Sequence, residues 1–261
     1  MIQLNISFAG AGRVAGALCR ELYHAGFKID LIASESEKNG RLLADSSDSS
    51  WSPDLIFPDS TDVIIVAVPD HKLEGVLNKI RCRPETIVSH TAGSMGLDVF
   101  PEKIIRKGIF YPLQTFSKER KIVFNDIPVL LESSDKQSSE ILENLAESIN
   151  AKVHFADTEH RRMLHLAAVF VCNFTNHMLT EGKELALKTG FSFEVLGPLI
   201  KETISKAMDI GPENSQTGPA VRNDQNTIGK HLELLSFSPE LQRIYCEMTN
   251  SIIRYYSKDK R

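Results

Sequence analysis

Residues 6–16 read ISFAGAGRVAG, and the fold of the N-terminal half turns on whether this stretch is a socket for a dinucleotide or only a glycine-rich turn. The glycines by themselves leave both readings open, but their neighbours favour the socket. Residues 2–9 alternate towards a short strand, Val14, Leu18, Leu22 and Tyr23 recur at helical spacing, Gly26 ends the helix, and KIDLIAS at 28–34 reads as a second strand. That order is the one in which a G-x-G-x-x-G/A turn receives a pyrophosphate. Gly10 and Gly12 take the first two glycine places, for a tight turn and for close approach of backbone to phosphate. Ala15 stands in the third, where a small residue lets helix and sheet pack closely. With the free amides at the helix start, Gly10, Gly12, Arg13 and Val14 become candidate coenzyme-binding residues.

The end of the second strand bears on which coenzyme is held. An NAD site places Asp or Glu there to accept from the ribose hydroxyls. Here the strand ends at Ser34, a donor suited to a 2′-phosphate, with Arg13 and Lys38 as sources of positive charge, which favours NADP. Glu35, one residue on, keeps NAD open, and Asp30 lies too early in the strand.

Further along, VIIVAVP at 63–69 is nearly all apolar, as suits a parallel strand covered on both faces, and Pro69 stops it. Strands are expected near 86–89, 107–111, 127–132 and 152–156, helices near 71–80 and 135–149, and the serine-rich 45–52 reads as a surface loop. After about Asp157 the pattern is helical, at 158–189, 192–210, 224–235 and 238–255. The predicted fold class is therefore α/β, with an N-terminal Rossmann-like parallel-sheet domain at 1–156 and an all-helical domain at 157–261.

Candidate residues gather where the strands of such a sheet end. Val68 and Pro69 close the fourth strand, where backbone covers the nicotinamide side of a coenzyme; a helix cap by Asp70 is the plainer alternative, and His71 is either a ligand contact or simply exposed. The segment SHTAGS at 89–94 offers His90 and Thr91 as coenzyme contacts and Ser94 as a substrate contact, with local packing the alternative for His90. In FYPLQTF at 110–116, Tyr111 and Gln114, with Thr115 beside them, are placed to orient a polar substrate, unless this is an ordinary strand-end turn. In the long helix, His165, Val169 and Asn173 recur at i+4 and His177 extends the same face. His165 as proton donor and Asn173 as orienting amide form the candidate catalytic pair, the alternative being a structural histidine. Thr217 and Arg222 of TGPAVRND are candidate substrate contacts, and Asn223 or Asp224 can cap the helix that carries His231.

Composition narrows the partners. With 261 residues, 42% hydrophobic and 25% charged, the chain is long enough for two domains with buried cores. A net charge of −4 offers no global field for nucleic acid, leaving only a local patch at Lys118, Arg120 and Lys121. Apolar runs fall short of a membrane span, and four scattered cysteines without a signal-peptide pattern suit reduced thiols in the cytoplasm. The histidines and cysteines show no metal-ligand spacing.

Six segments taken in order, GAGRVAG, IVAVPD, SHTAGS, FYPLQTF, MLHLAAVFVCNF and TGPAVRND with TIGKHL, resemble the Rossmann-like proteins that carry a C-terminal DUF2520 domain and are labelled NADP oxidoreductases. The resemblance spans nearly the whole chain. It implies an NADP-dependent oxidoreductase, NAD being the lesser choice, acting on a small polar carbonyl, imine or hydroxy acid in a cleft between domains, and a homodimer built through the helical domain. It carries family motifs onto Gly10, Gly12, Ser89, His90, Thr91, Gly93 and Ser94, and onto His165, Asn173, Gly218, Pro219, Arg222, Asp224 and His231. The nucleotide domain is similar to those of pyrroline-5-carboxylate reductase, ketopantoate reductase and the 3-hydroxyacid dehydrogenases. The dehydrogenases place Lys and Asn on the long helix, where this chain has His165. A nucleotide-responsive binding protein without turnover is the other class that the glycine turn permits.

Overall fold

In the computed structural model the described residues are 4–117, 120 and 122–257, so Lys118 and Lys121 of the basic patch, and residues 2 and 3 of the expected first strand, lie outside them. The chain divides into two compact units, Met1–Met178 and Leu179–Arg261. The first is built from β1 (Asn5–Ala9), α1 (Arg13–His24), β2 (Lys28–Ala33), α2 (Glu37–Asp45), β3 (Ser50–Ser52), β4 (Val63–Val66), α3 (Asp70–Lys79), β5 (Ile87–His90), β6 (Arg106–Pro112), β7 (Pro128–Ser133), α4 (Lys136–Ser148) and β8 (Lys152–Phe155). These strands make one eight-stranded sheet in the order β3-β2-β1-β4-β5-β6-β7-β8.

The apolar run of β4 explains itself in this sheet. Val63 and Ile65 enter one core with Ile6, Phe8, Leu18 and Leu22, whereas Ile64 and Val66 enter the other with Leu73, Leu77 and Val88. A strand between two covered faces has no side to leave polar. Pairings are parallel except β6 with β7. No helix crosses from Pro112 to Pro128 among the described residues, so the chain has no crossover to bring β7 back parallel, whereas α4 supplies one between β7 and β8.

The serine-rich stretch corrects one expectation. Residues 50–52 are not loop but the edge strand β3, paired with β2 through Leu31 with Ser50 and Ala33 with Ser52. Trp51 half-buries against α2 and donates from Nε1 to Ser34 Oγ at 3.2 Å, an anchor that a serine-rich composition conceals.

After the sheet, the first unit ends in a long helical run: α5 (Thr158–Ala168), a π-helical turn Val169–Phe174, and the start of α6 (Thr175–Lys188). The π-turn carries more residues per turn than an α-helix, so i+4 spacing does not by itself put His165, Asn173 and His177 on one face. The second unit contains the rest of α6, α7 (Gly197–Ile210), the short α8 (Pro212–Ser215), α9 (Gln225–Leu234) and α10 (Pro239–Ser257). No helix among the described residues is long and apolar enough to cross a membrane.

Candidate functional site

The strand order places the site. β1 and β4 are neighbours although β2 and β3 lie to one side and β5 to the other, so connections leave in opposite directions and open a crevice at the carboxyl ends of β1 and β4. Gly10 sits in that opening at φ +112°, its amide donating to Ala33 O at 2.7 Å. A Cβ there would collide with the carbonyl oxygen of Ala67, which follows β4. A side chain is thus excluded by dihedral and by space together.

Gly12 is the N-cap of α1 and gives it no side-chain hydrogen bond, and no acidic residue stands in the first turn. By contrast Ser36, Asp135, Asp157 and Asp224 each cap their own helix by accepting a backbone N–H. The first amides of α1 are left to an external acceptor, and a phosphate is the anion that matches them in charge and in hydrogen bonding. A groove of about 1190 Å³ runs past this turn, lined by Gly10, Gly12, Ser34, Glu35, Val68 and Pro69 among others. The donor set therefore fits a dinucleotide.

Not every predicted coenzyme residue offers the groove a free polar group. Arg13 turns the other way, donating from Nη1 to Phe116 O at 3.4 Å beside a second cavity of about 730 Å³ that also holds Arg20 and Arg120. Val14 packs against the core. Ser34 is buried, its hydroxyl donating to Ser36 O at 3.1 Å while accepting from Trp51, so its proton is already committed. Thr91, half-buried, donates its amide to Val66 O at 3.1 Å and so ties β5 to the end of β4.

His90 corrects an expectation more sharply. Its ring is fully buried and stacked on Phe100, Nδ1 accepts from the Ala92 amide at 3.2 Å, and Nε2 reaches Gly96 O at 3.4 Å. Both nitrogens are engaged by backbone and neither is left for a coenzyme. Burial pulls its pKa down to about 4, in keeping with a neutral ring.

A second group of polar side chains gathers around Gly93. Tyr111 and His165 meet with Oη 2.9 Å from Nδ1, their rings edge to face. A Cβ on Gly93 would stand 2.7 Å from Tyr111 Cζ and 2.9 Å from His165 Nδ1, so only glycine admits the pair. Burial and the charge of Asp70 push the Tyr111 phenol up, which keeps it protonated. Ser94 donates to Asp70 Oδ2, and Arg162 Nε donates to Ser94 O at 2.7 Å. One turn before His165, the fully buried Arg161 pairs with Glu132 and donates from Nη2 to Met95 O at 2.7 Å. The two arginines fasten α5 to the 94–96 loop and so fix the level of His165.

Gln114 is exposed and its Oε1 accepts from the Thr115 amide at 2.8 Å. Asn173 is exposed in the π-turn, a feature that recurs at functional positions. In the second unit Thr217 and Arg222 are exposed, Asp224 caps α9 by accepting the Thr227 amide at 3.1 Å, and His231 Nδ1 lies 2.8 Å from the Tyr245 hydroxyl. The sequence pattern gave no sign of Lys72, Arg161 and Glu132, whose partners are too distant along the chain for spacing to reveal.

Fold and glycine turn define a Rossmann-like protein of dinucleotide-binding, oxidoreductase type with a helical C-terminal unit. Residues 5–93 match the family described as NADP oxidoreductase, coenzyme F420-dependent, and residues 127–252 match the domain of unknown function DUF2520. A candidate NADP oxidoreductase from Bacteroides fragilis is 38% identical, covering 97% of this chain and 98% of its own, with a TM-score of 0.88. The chain belongs to this Rossmann-like, DUF2520-containing family of NADP oxidoreductases. A Thermotoga maritima protein aligns over 98% of this chain and 100% of its own at 21% identity and a TM-score of 0.73. A 1-pyrroline-5-carboxylate reductase from Streptococcus pyogenes shares the fold at 13% identity, covering 97% and 99%, with a TM-score of 0.61. No curated protein matches the sequence significantly.

Proposed function

We propose that this protein is an NADP-dependent oxidoreductase that moves a hydride to or from a small polar carbonyl, imine or hydroxy acid. The observation that carries the reading is the uncapped start of α1 opening through Gly10 and Gly12 onto a groove large enough for a dinucleotide. Gly10, Gly12 and the first amides of α1 hold the pyrophosphate, and Val68 and Pro69 back the coenzyme where β4 ends. When bound, the nicotinamide supplies or accepts the hydride. Tyr111 orients the substrate, and His165 provides the proton, its Nδ1 being 2.9 Å from the Tyr111 hydroxyl along which that proton passes. Ser94, Gln114 and the amide of Asn173, all on the first unit, are the candidate substrate contacts. Calorimetric titration of NADPH and NADH, followed by a carbonyl and imine screen reading nicotinamide absorbance, tests this. Binding of NADPH with turnover that falls in His165→Gln is the expected result, and binding of neither coenzyme overturns it.

The same reading includes a homodimer. Among the described residues of the second unit, Ala220, Ile228, Leu235 and Thr249 are buried, while Phe191, Leu199, Ile204, Met208, Leu234 and Phe237 are exposed. So little interior does not offset the chain entropy of some 83 residues, which supports a second copy covering these faces. Sedimentation as a monomer at micromolar concentration would remove this part.

A further inference from the structure

Across the groove from the end of β2 stands α3, and the two walls are joined by one ion pair. Lys72 Nζ donates to Glu35 Oε2 at 2.7 Å, and both residues line the groove that holds the glycine turn. Glu35 sits where an acidic residue would accept from an adenosine ribose. Its carboxyl is held below the ordinary range by the Lys72 hydrogen bond and charge.

Several nearby cations are engaged elsewhere. Arg13 donates to Phe116 O, Arg41 pairs with Glu37 and lies over the Trp51 ring, and Lys103 Nζ donates to the carbonyls of Asn78 and Ile80. Ser34, the donor that the sequence offered, already donates its hydroxyl hydrogen bond to Ser36 O. Lys79 and Arg81 also line the groove, and Lys79 adds to the field on Glu35, but the direct ion pair at the end of β2 is Glu35 with Lys72. Glu35 is 82% exposed and Lys72 46% exposed, so both can exchange partners without unfolding anything.

Resting on the coenzyme reading above, we infer that Glu35 and Lys72 set coenzyme preference by exchanging partners. A 2′-phosphate takes Lys72 from Glu35, whereas a 2′-hydroxyl donates to Glu35 and leaves the pair intact. The phosphate carries a charge of about −1.5 to −2 at neutral pH, so Glu35 repels it and Lys72 attracts it. A hydroxyl is neutral and needs only the acceptor. The two residues thus push selectivity in opposite directions from adjacent positions.

Calorimetric titration of NADPH and NADH into the full chain and its variants tests the inference through affinity alone. Lys72→Gln is expected to weaken NADPH about tenfold and NADH less than about threefold, and Lys72→Arg to retain NADPH. Glu35→Gln is expected to tighten NADPH several-fold and weaken NADH about tenfold. NADH binding kept by Lys72→Gln serves as its folding control. If the wild type binds both coenzymes but Lys72→Gln loses them alike, or Glu35→Gln fails to tighten NADPH, the inference falls and the coenzyme reading stands. If the wild type binds neither, the coenzyme reading fails and the pair's role with it.

Discussion

Gly10 and Gly12 lie two residues apart, yet alanine is expected to do different things at each. At Gly12 the backbone is extended, with φ −83° and ψ −167°, and no atom lies within 4 Å of the point where an alanine methyl would stand. Loss of a favourable glycine cap and the smaller entropy of the unfolded alanine chain each amount to about 0.5–1 kcal/mol and oppose one another, so stability stays within about 0.5 kcal/mol of wild type. The methyl nevertheless occupies the space where phosphate must approach the α1 amides. Losing one or two charge-assisted hydrogen bonds there, at about 1.5–3 kcal/mol each, weakens coenzyme roughly 100-fold. At Gly10 the positive φ costs about 1–3 kcal/mol and the overlap with Ala67 O adds about 1–3 kcal/mol more, so the fold itself is damaged. Urea unfolding with and without NADPH separates the two. At a hundredfold excess over Kd, NADPH stabilises the wild type by about 2.7 kcal/mol, and the Gly12→Ala protein, bound roughly 100-fold less tightly, by only about 0.4 kcal/mol. A Gly12→Ala protein that keeps the full stabilisation by NADPH refutes the placement of pyrophosphate at this turn.

Two further expectations concern the scaffold. His90 is neutral when folded, with its pKa near 4, whereas the unfolded chain protonates it near 6.5, so its contribution is complete above about pH 6.5 and is lost as pH falls towards 4. Between pH 7 and 5 the wild type should lose about 2 kcal/mol more than His90→Asn in parallel denaturant titrations, and equal losses would contradict a buried neutral ring. Replacing Glu132 by Gln leaves the buried guanidinium of Arg161 without its counter-charge and is expected to cost about 3 kcal/mol by urea unfolding; a cost under about 1 kcal/mol would show that Arg161 is satisfied by carbonyls alone.

The glycine turn was legible because its requirements are local: a strand before, a helix after, and small residues at fixed offsets between them. The apolar run of β4 was legible for a similar reason, since burial on both faces leaves no alternation. Ser50–Ser52 was not, because β3 is an edge strand whose place depends on pairing with β2 and on one tryptophan rather than on its own composition. His90 sits at the expected edge of the sheet and its residue type suits a ligand contact, but the Phe100 ring stacked on it is a product of folding that no spacing in the sequence announces.

Apart from β3, sequence alone determined the order of strands and helices, the glycine turn and the change to helix after Asp157, because each is written in neighbours within a few turns of chain. Tertiary structure decided which polar groups remain available. Trp51 claims the Ser34 hydroxyl, backbone claims both nitrogens of His90, Tyr111 meets His165 from 54 residues away, and Lys72 reaches Glu35 across 37 residues. A hydrogen bond needs its partners within about 3 Å, and only the folded chain brings residues so far apart in sequence to that distance.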